Sequence, residues 1–201
     1  MDVNYHISKY CIIQDNKIYV NDDLAFSAVD GSFSSFIKAA FKAQEIDYPK
    51  FYKMDNLSKL AFLAAEVLLK EEEKKANIGL ILSNKSGSLD SDVKHQESIQ
   101  EELNYFPSPA VFVYTLANIC AGEISIRHGM KSENMFLVSE DYDAETIINS
   151  ATYLLLQGKA DKVLCGWVEL FADKYKAVLY LVENIGVLPH NIKSIEKLFL
   201  K

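Results

Sequence analysis

NMFLVSEDYDAETIINSATYLLLQGKADKVLCGWVEL, residues 134–170, decides the fold. It opens on a short apolar run, Asn134–Val138, and crosses the acidic turn SEDYD. Ala144, Ile147, Ile148, Ala151, Leu154 and Leu155 then recur at steps of three and four, which puts them on one face of a helix. That helix is predicted over 143–157, and Gly158 ends it. VLCGWVEL (163–170) follows with almost no polar alternation, the pattern of a strand covered on both faces. Strand, helix and doubly buried strand in succession predict an α/β fold, a layered mixed sheet with helices on both faces.

The flanking sequence extends this pattern. KAVLYLVE (176–183) reads as a strand antiparallel to its neighbour. IGLIL (78–82) is a second fully apolar strand, and SNKSGSLDSD (83–92) after it reads as a loop. Before it, Leu57, Leu60, Ala61, Ala64, Val67 and Leu68 form one helical stripe that Asp55 or Asn56 can cap. The stripe runs out in KEEEKK (70–75), read as a solvated last turn. YHISKYCII and KIYV flank Gln14-Asp15-Asn16 as a hairpin, and Phe33, Phe36, Ile37, Ala40 and Phe41 suggest a short helix. A helix is predicted over about 110–128 with Gly129 at its C-terminal cap, and an amphipathic segment over 192–200. Phe106, Phe112 and Tyr114 are expected in the core, with a lipid tunnel as the lesser alternative. The 201 residues show no repeat or linker, so one domain over 1–201 is expected.

Composition excludes several classes of function. The net charge is −7 with acids and bases interspersed, unlike the clustered Lys and Arg that displace counterions from nucleic acid. MDVNYHISKY is too polar for a secretory signal, and no apolar run approaches the ~20 residues that span a bilayer. A cytoplasmic location without membrane contact is expected. Cys11, Cys120 and Cys165 lie among apolar neighbours without metal spacing and read as reduced core thiols. His6, His95, His128 and His190 form no His-x-x-x-His pair, and Ser86-Gly87 is not a full phosphate-binding pattern. No metal or cofactor is expected.

Several motifs, in order, resemble the N-terminal half of β-ketoacyl-acyl-carrier-protein synthases, which have a thiolase-like fold. Asn118, Ala121, Gly122, Ile126 and Gly129 resemble that family's Asn-x-x-Ala-Gly helix. Ala160-Asp161 and then Gly166 and Glu169 resemble its Ala-Asp pair and glycine-bearing strand end. Met54, Asp55 and Ser58 resemble its Met-Asp-x-x-Ser helix start, and IGLILSNKSGS the strand and loop after it. The resemblance covers nearly the whole chain and half of the family's usual length. It therefore implies a thiolase-like half-fold.

The departures bear on activity. The resemblance places the family's nucleophilic Cys at Asp141, flanked by Ser139, Glu140 and Asp143. The usual Gly-Pro is Ser132-Glu133, and the family's catalytic His and Lys belong to its other half. A carboxylate is a poor acyl carrier, because a mixed anhydride is far less stable than a thioester. Four acids, Glu140, Asp141, Asp143 and Glu145, would also repel a malonyl carboxylate and the enolate it yields. As helix caps they are well placed, since acids suit a helix N-terminus. A hydrolytic role for Ser139 lacks an assignable base.

The resemblance thus implies a non-catalytic accessory subunit of fatty-acid or polyketide-type synthesis, similar to a chain length factor. The alternative is a thiolase-fold acyltransferase, or 3-oxoacyl-carrier-protein synthase, active only with a partner chain. The family also pairs the strand before its nucleophile across a dimer two-fold. An interface is accordingly expected at Asn134, Met135, Phe136, Leu137 and Val138, and on the following helix at Ile147, Ile148, Ala151, Tyr153 and Leu155. A homodimer, or a heterodimer with a full-length ketosynthase, would cover it. Binding of an acyl carrier protein is the third reading.

Overall fold

A computed structural model describes residues 4–29, 31–72, 76–101 and 105–201. Eight strands among them form one mixed sheet: β1 (His6–Gln14), β2 (Lys17–Val20), β3 (Asp23–Ser27), β4 (Ile78–Asn84), β5 (Asn134–Val138), β6 (Lys162–Phe171), β7 (Lys174–Glu183) and β8 (Leu188–Pro189). The order is β3-β2-β1-β7-β6-β4-β5, with β8 beside the start of β1. β4 pairs parallel to both β5 and β6. β7 lies antiparallel to β6, the direction the sequence predicts for 176–183.

Alternate side chains of the sheet feed two cores. Cys11, Ile13, Leu80, Leu82, Leu164, Val168, Leu179 and Leu181 enter one. Three helices cover it: α1 (Phe33–Ala43), α2 (Asn56–Leu69) and α5 (Ile119–His128). Tyr10, Ile12, Ile81, Val163, Cys165, Val178 and Tyr180 enter the other, beneath α6 (Ala144–Leu156) and α7 (Ile192–Phe199). This is the layered mixed sheet with helices on both faces. A sheet dry on both faces is what unbroken apolar strands require.

Local chemistry explains the element ends. Asp55 caps α2, its Oδ1 accepting the Ser58 amide at 2.9 Å, while its Oδ2 accepts from Ser91 Oγ at 3.0 Å. Asp15 and Asn16 sit at φ 49° and 56°, the left-handed pair that closes a two-residue hairpin between Gln14 and Lys17. Gly129 and Gly158 take φ 64° and 63° where α5 and α6 end.

The structure departs from the sequence reading at several places. α2 is buried on most sides: Phe62, Ala65 and Leu69 are covered as well as the predicted stripe, of which only Val67 stays half-buried, because α1, α5 and the sheet enclose it. The expected loop at 83–92 is shorter than predicted, since Ser83 and Asn84 finish β4 and α3 (Leu89–Ile99) begins at Leu89. The helix expected over 110–128 is two, α4 (Pro109–Val113) and α5, separated by a turn in which Ile119 N donates to Leu116 O at 3.0 Å. Of KEEEKK, Glu72 is ion-paired with Lys162 at 2.9 Å rather than simply solvated, and 73–75 lie outside the described residues. Phe106 and Phe112 are not in the core; they stand 75% and 59% exposed, and only Tyr114 packs against it. Phe106 precedes α4 and Phe112 lies on it, both outside the layer that α2 and α5 already fill.

Gly166 lies where two strands approach closely. A Cβ there would stand 2.2 Å from Val178 O and 2.8 Å from Leu179 Cα. Gly166→Ala is expected to cost about 3 kcal/mol, as overpacking between strands that cannot separate, read as a lower urea midpoint. His190 carries a pH dependence: burial lowers its imidazole to about 4. The unfolded chain takes up that proton near pH 6.5. Stability is therefore complete above about 6.5 and declines as pH falls toward 4. Urea titrations across this range should show a flatter decline for His190→Phe.

Candidate functional site

β4, β5 and β6 run parallel, so their C-terminal ends share one rim. Three segments meet there: the 84–88 loop after β4, the 139–143 turn between β5 and α6, and the end of β6. Open α/β sheets characteristically carry their sites on such a rim.

Glu169, on β6, organises the rim. Its Oε2 accepts from the Lys85 amide at 2.8 Å and the Ser86 amide at 3.2 Å. Asn84 closes the loop on itself, donating to Gly87 O and accepting from Gly87 N, each at 2.9 Å. The Ser139 amide donates to Asn84 O at 3.0 Å, tying the turn to the loop. Lys85 reaches across to an ion pair with Glu140. Its ammonium is raised above the ordinary lysine range by that hydrogen bond and charge, with Asp141 and Glu169 adding to the field.

The four acids of the turn have separate employment. Glu140 holds Lys85. Asp143 caps α6, accepting from Thr146 N at 3.0 Å and Thr146 Oγ1 at 2.6 Å, and these bonds hold its carboxyl below the usual range. Glu145 lies exposed in the first turn of α6. Asp141 is exposed, and its backbone oxygen accepts from Ser139 Oγ at 2.7 Å. Asp141 thus stands at a strand-to-helix turn, as the sequence expects, and carries an oxygen acid there.

Beneath the turn is a residue the sequence reading passed over. Tyr142 packs edge-on to Trp167 and stacks on Phe199, with centroids 6.1 Å and 4.6 Å away. Its hydroxyl meets that of Tyr180 at 2.7 Å, and burial pushes both phenols well above their ordinary value. A large aromatic between two acids was the available sign that the turn folds one side chain inward. Lys85 was missed too, because nothing local in SNKSGS shows that it faces an acid 55 positions away.

The thiols and imidazoles lie elsewhere. Cys11, Cys120 and Cys165 are free and buried in the strands or at the start of α5, and burial pushes each thiol up. Cys120 Sγ donates to Ala117 O at 3.2 Å. His128 Nε2 lies 2.9 Å from Glu66 Oε1, and Arg127 grips both oxygens of the same carboxylate at 2.8 and 3.1 Å. Burial works to raise Glu66, but the His128 and Arg127 bonds outweigh it and hold the carboxyl low. This trio joins α2 to α5 and is structural. Among the described residues no group of His, Cys, Asp and Glu has metal-binding geometry, and no helix is long and apolar enough to cross a membrane.

The expected interface residues divide. β5 is the last strand of the sheet, so its outer edge has no partner strand among the described residues. Asn134, Met135 and Val138 are exposed there, and Phe136 and Leu137 half-buried. On α6, Ile147 and Ala151 are fully buried against the sheet and are unavailable to a partner, which corrects the expectation. Ile148 and Leu155 are half-buried and Tyr153 exposed.

Comparison with known proteins accords with this architecture. Residues 18–193 match the family described as beta-ketoacyl synthase, N-terminal domain, and the chain belongs to that family. No curated protein sequence matches it significantly. Among solved structures it is similar to the ishigamide ketosynthase/chain length factor, with TM-score 0.69 and 19% identity over 90% of this chain and 62% of that one. It is also similar to a chain of the ketosynthase (ApeO) in complex with its chain length factor (ApeC) from Xenorhabdus doucetiae. There the TM-score is 0.64 at 14% identity, over 98% of this chain and 90% of the other. A beta-ketoacyl synthase from Burkholderia phymatum STM815 gives TM-score 0.64 at 14% identity, over 90% and 59%. The chain thus spans about three fifths of the ishigamide and Burkholderia proteins.

Because Glu169 alone satisfies two loop amides, Glu169→Ala should release the loop. Hydrogen exchange at Lys85 and Ser86 is expected to accelerate, and stability to fall by about 1–2 kcal/mol.

Proposed function

We propose that this chain is a chain-length-factor-like subunit of fatty-acid or polyketide-type synthesis, folding as one domain and working in the cytoplasm. In this reading it does not condense acyl units itself. It pairs with a full-length ketosynthase, the β5 edge forming part of the contact. The observation that carries the proposal is Asp141 at the strand-to-helix turn. Condensation needs a thiolate there, and a helix N-terminus lowers a thiol's pKa only when the thiol sits at it. Cys120 stands at the start of α5, yet it is buried like Cys11 and Cys165, and burial pushes all three thiols up.

Two further observations support it. Solved structures of similar fold include ketosynthases bound to their chain length factors. One chain of such a complex is spanned to 90% by this short chain, so a subunit of this extent has a structural counterpart. An open edge strand is also a hazard that folded proteins cover or blunt, and a partner strand would cover it.

The test is an assay with acyl- and malonyl-carrier thioesters, using the chain alone and with a candidate full-length ketosynthase. The isolated chain is expected to release no carbon dioxide and hold no acyl group, and Asp141→Cys to leave this unchanged. With the ketosynthase, turnover should appear and the two should elute together in light-scattering chromatography. Acyl transfer by the isolated chain would end the non-catalytic reading. Turnover that needs both chains but vanishes with Asp141→Asn or Ser139→Ala would favour the shared-site acyltransferase instead.

A further inference from the structure

One hollow of the molecule is walled by groups that the rest of the chain leaves unused. It lies between α6 and α7, which sit side by side over the second core. Its volume is about 630 Å³, within the range that encloses a small organic molecule. Ile148 and Asn149 line it from α6, and His190, Ile192 and Lys193 from the start of α7.

His190 is the unexplained member of this wall. It is 9% exposed, and neither ring nitrogen has a hydrogen-bond partner. Burial lowers its imidazole to about 4, so at neutral pH the ring carries one N–H donor and one bare acceptor. Buried polar groups are nearly always paired, and one left without a partner calls for a cause. The neighbouring Tyr180 ring supplies none, since its hydroxyl is directed to Tyr142 at 2.7 Å.

The first turn of α7 opens on the same hollow. Asn191 Oδ1 accepts from Ser194 N at 2.9 Å, and Asn191 O accepts from Ile195 N at 3.1 Å. The amides of Ile192 and Lys193 have no acceptor among the described residues. Free amides at a helix start favour an anion. Lys193 adds an ammonium, and among the described residues it forms no ion pair. Glu145 lines the α6 side, and its charge disfavours a ligand that is doubly negative. Ile148 and Ile192 supply the apolar wall.

We propose that the hollow between α6 and α7 binds a small monocarboxylate with an apolar body. The carboxylate accepts from the Ile192 and Lys193 amides and from the His190 ring N–H, and the Lys193 ammonium supplies the opposite charge. The apolar body lies along Ile148 and Ile192. Binding here is independent of any pairing with a ketosynthase.

The experiment titrates the whole chain with hexanoate and follows the amide signals of Ile192 and Lys193 and the ring nitrogens of His190 by NMR. Hexan-1-ol tests the apolar body alone, and inorganic phosphate the charge alone. Hexanoate is expected to give a saturable shift at these three residues, with hexan-1-ol about ten-fold weaker or more, the loss of charge-assisted hydrogen bonds. Lys193→Gln should weaken hexanoate about ten-fold, while Lys197→Gln, in the last turn of α7, leaves it unchanged. Ile192→Asp places a second acid in the hollow at a position already 45% exposed, so the fold is kept and binding is lost. No saturable shift with millimolar hexanoate overturns the site, as do shifts that survive in Ile192→Asp. Hexan-1-ol or phosphate binding as tightly as hexanoate overturns the monocarboxylate assignment.

Discussion

The parallel pairing of β4 with β6 on one side and β5 on the other is the constraint on which the molecule's other features depend. Parallel strands cannot be joined by a tight turn, so each connection must cross a face of the sheet. α6 makes that crossing from β5 to β6 and buries Ile147, Ala151 and Leu154 on the way. The same parallelism delivers the ends of all three strands to one rim, which is why residues as distant as Asn84, Ser139 and Glu169 meet. Without it, Asp141 would have no neighbours from β4 or β6, and the turn would be an ordinary acidic loop.

Glycine at 166 follows from that constraint. β6 is held between β4 and β7, with Gly166 opposite both Leu82 and Leu179. The close approach of Val178 O leaves no space for a Cβ. Three residues on, Glu169 emerges at the rim and binds the loop amides. The Gly-x-x-Glu spacing therefore couples a packing requirement in the sheet to a hydrogen-bonding requirement above it. It serves architecture in this chain whether or not chemistry occurs at the turn.

The sequence disclosed what is governed by local periodicity and capping. The segments on both sides of Gly158, the cap at Asp55 and the hairpin at Asp15-Asn16 were all legible, because each is a short-range preference. α3 was not. LDSDVKHQESI has one buried residue, Ser91, so no apolar stripe announces it, and it forms because Ser91 and Asn56 tie it to the start of α2. Phe106 and Phe112 were misplaced for the converse reason. An aromatic signals a preference for burial, but composition does not say whether the fold supplies the cover. The split between α4 and α5 was hidden because YTLAN contains neither Gly nor Pro to mark it.

At the turn itself, electrostatics bear directly on what chemistry it could support. Lys85 is engaged by Glu140, and Asp141 and Glu169 add negative charge nearby. A condensing site must stabilise an enolate, which calls for donors or positive charge aimed at the developing oxyanion. Here the two amides best placed to donate, those of Lys85 and Ser86, are already bound to Glu169. A thiol placed at 141 would therefore lack those donors beside it. A rim so arranged holds the 84–88 loop and the 139–143 turn to each other and to the end of β6.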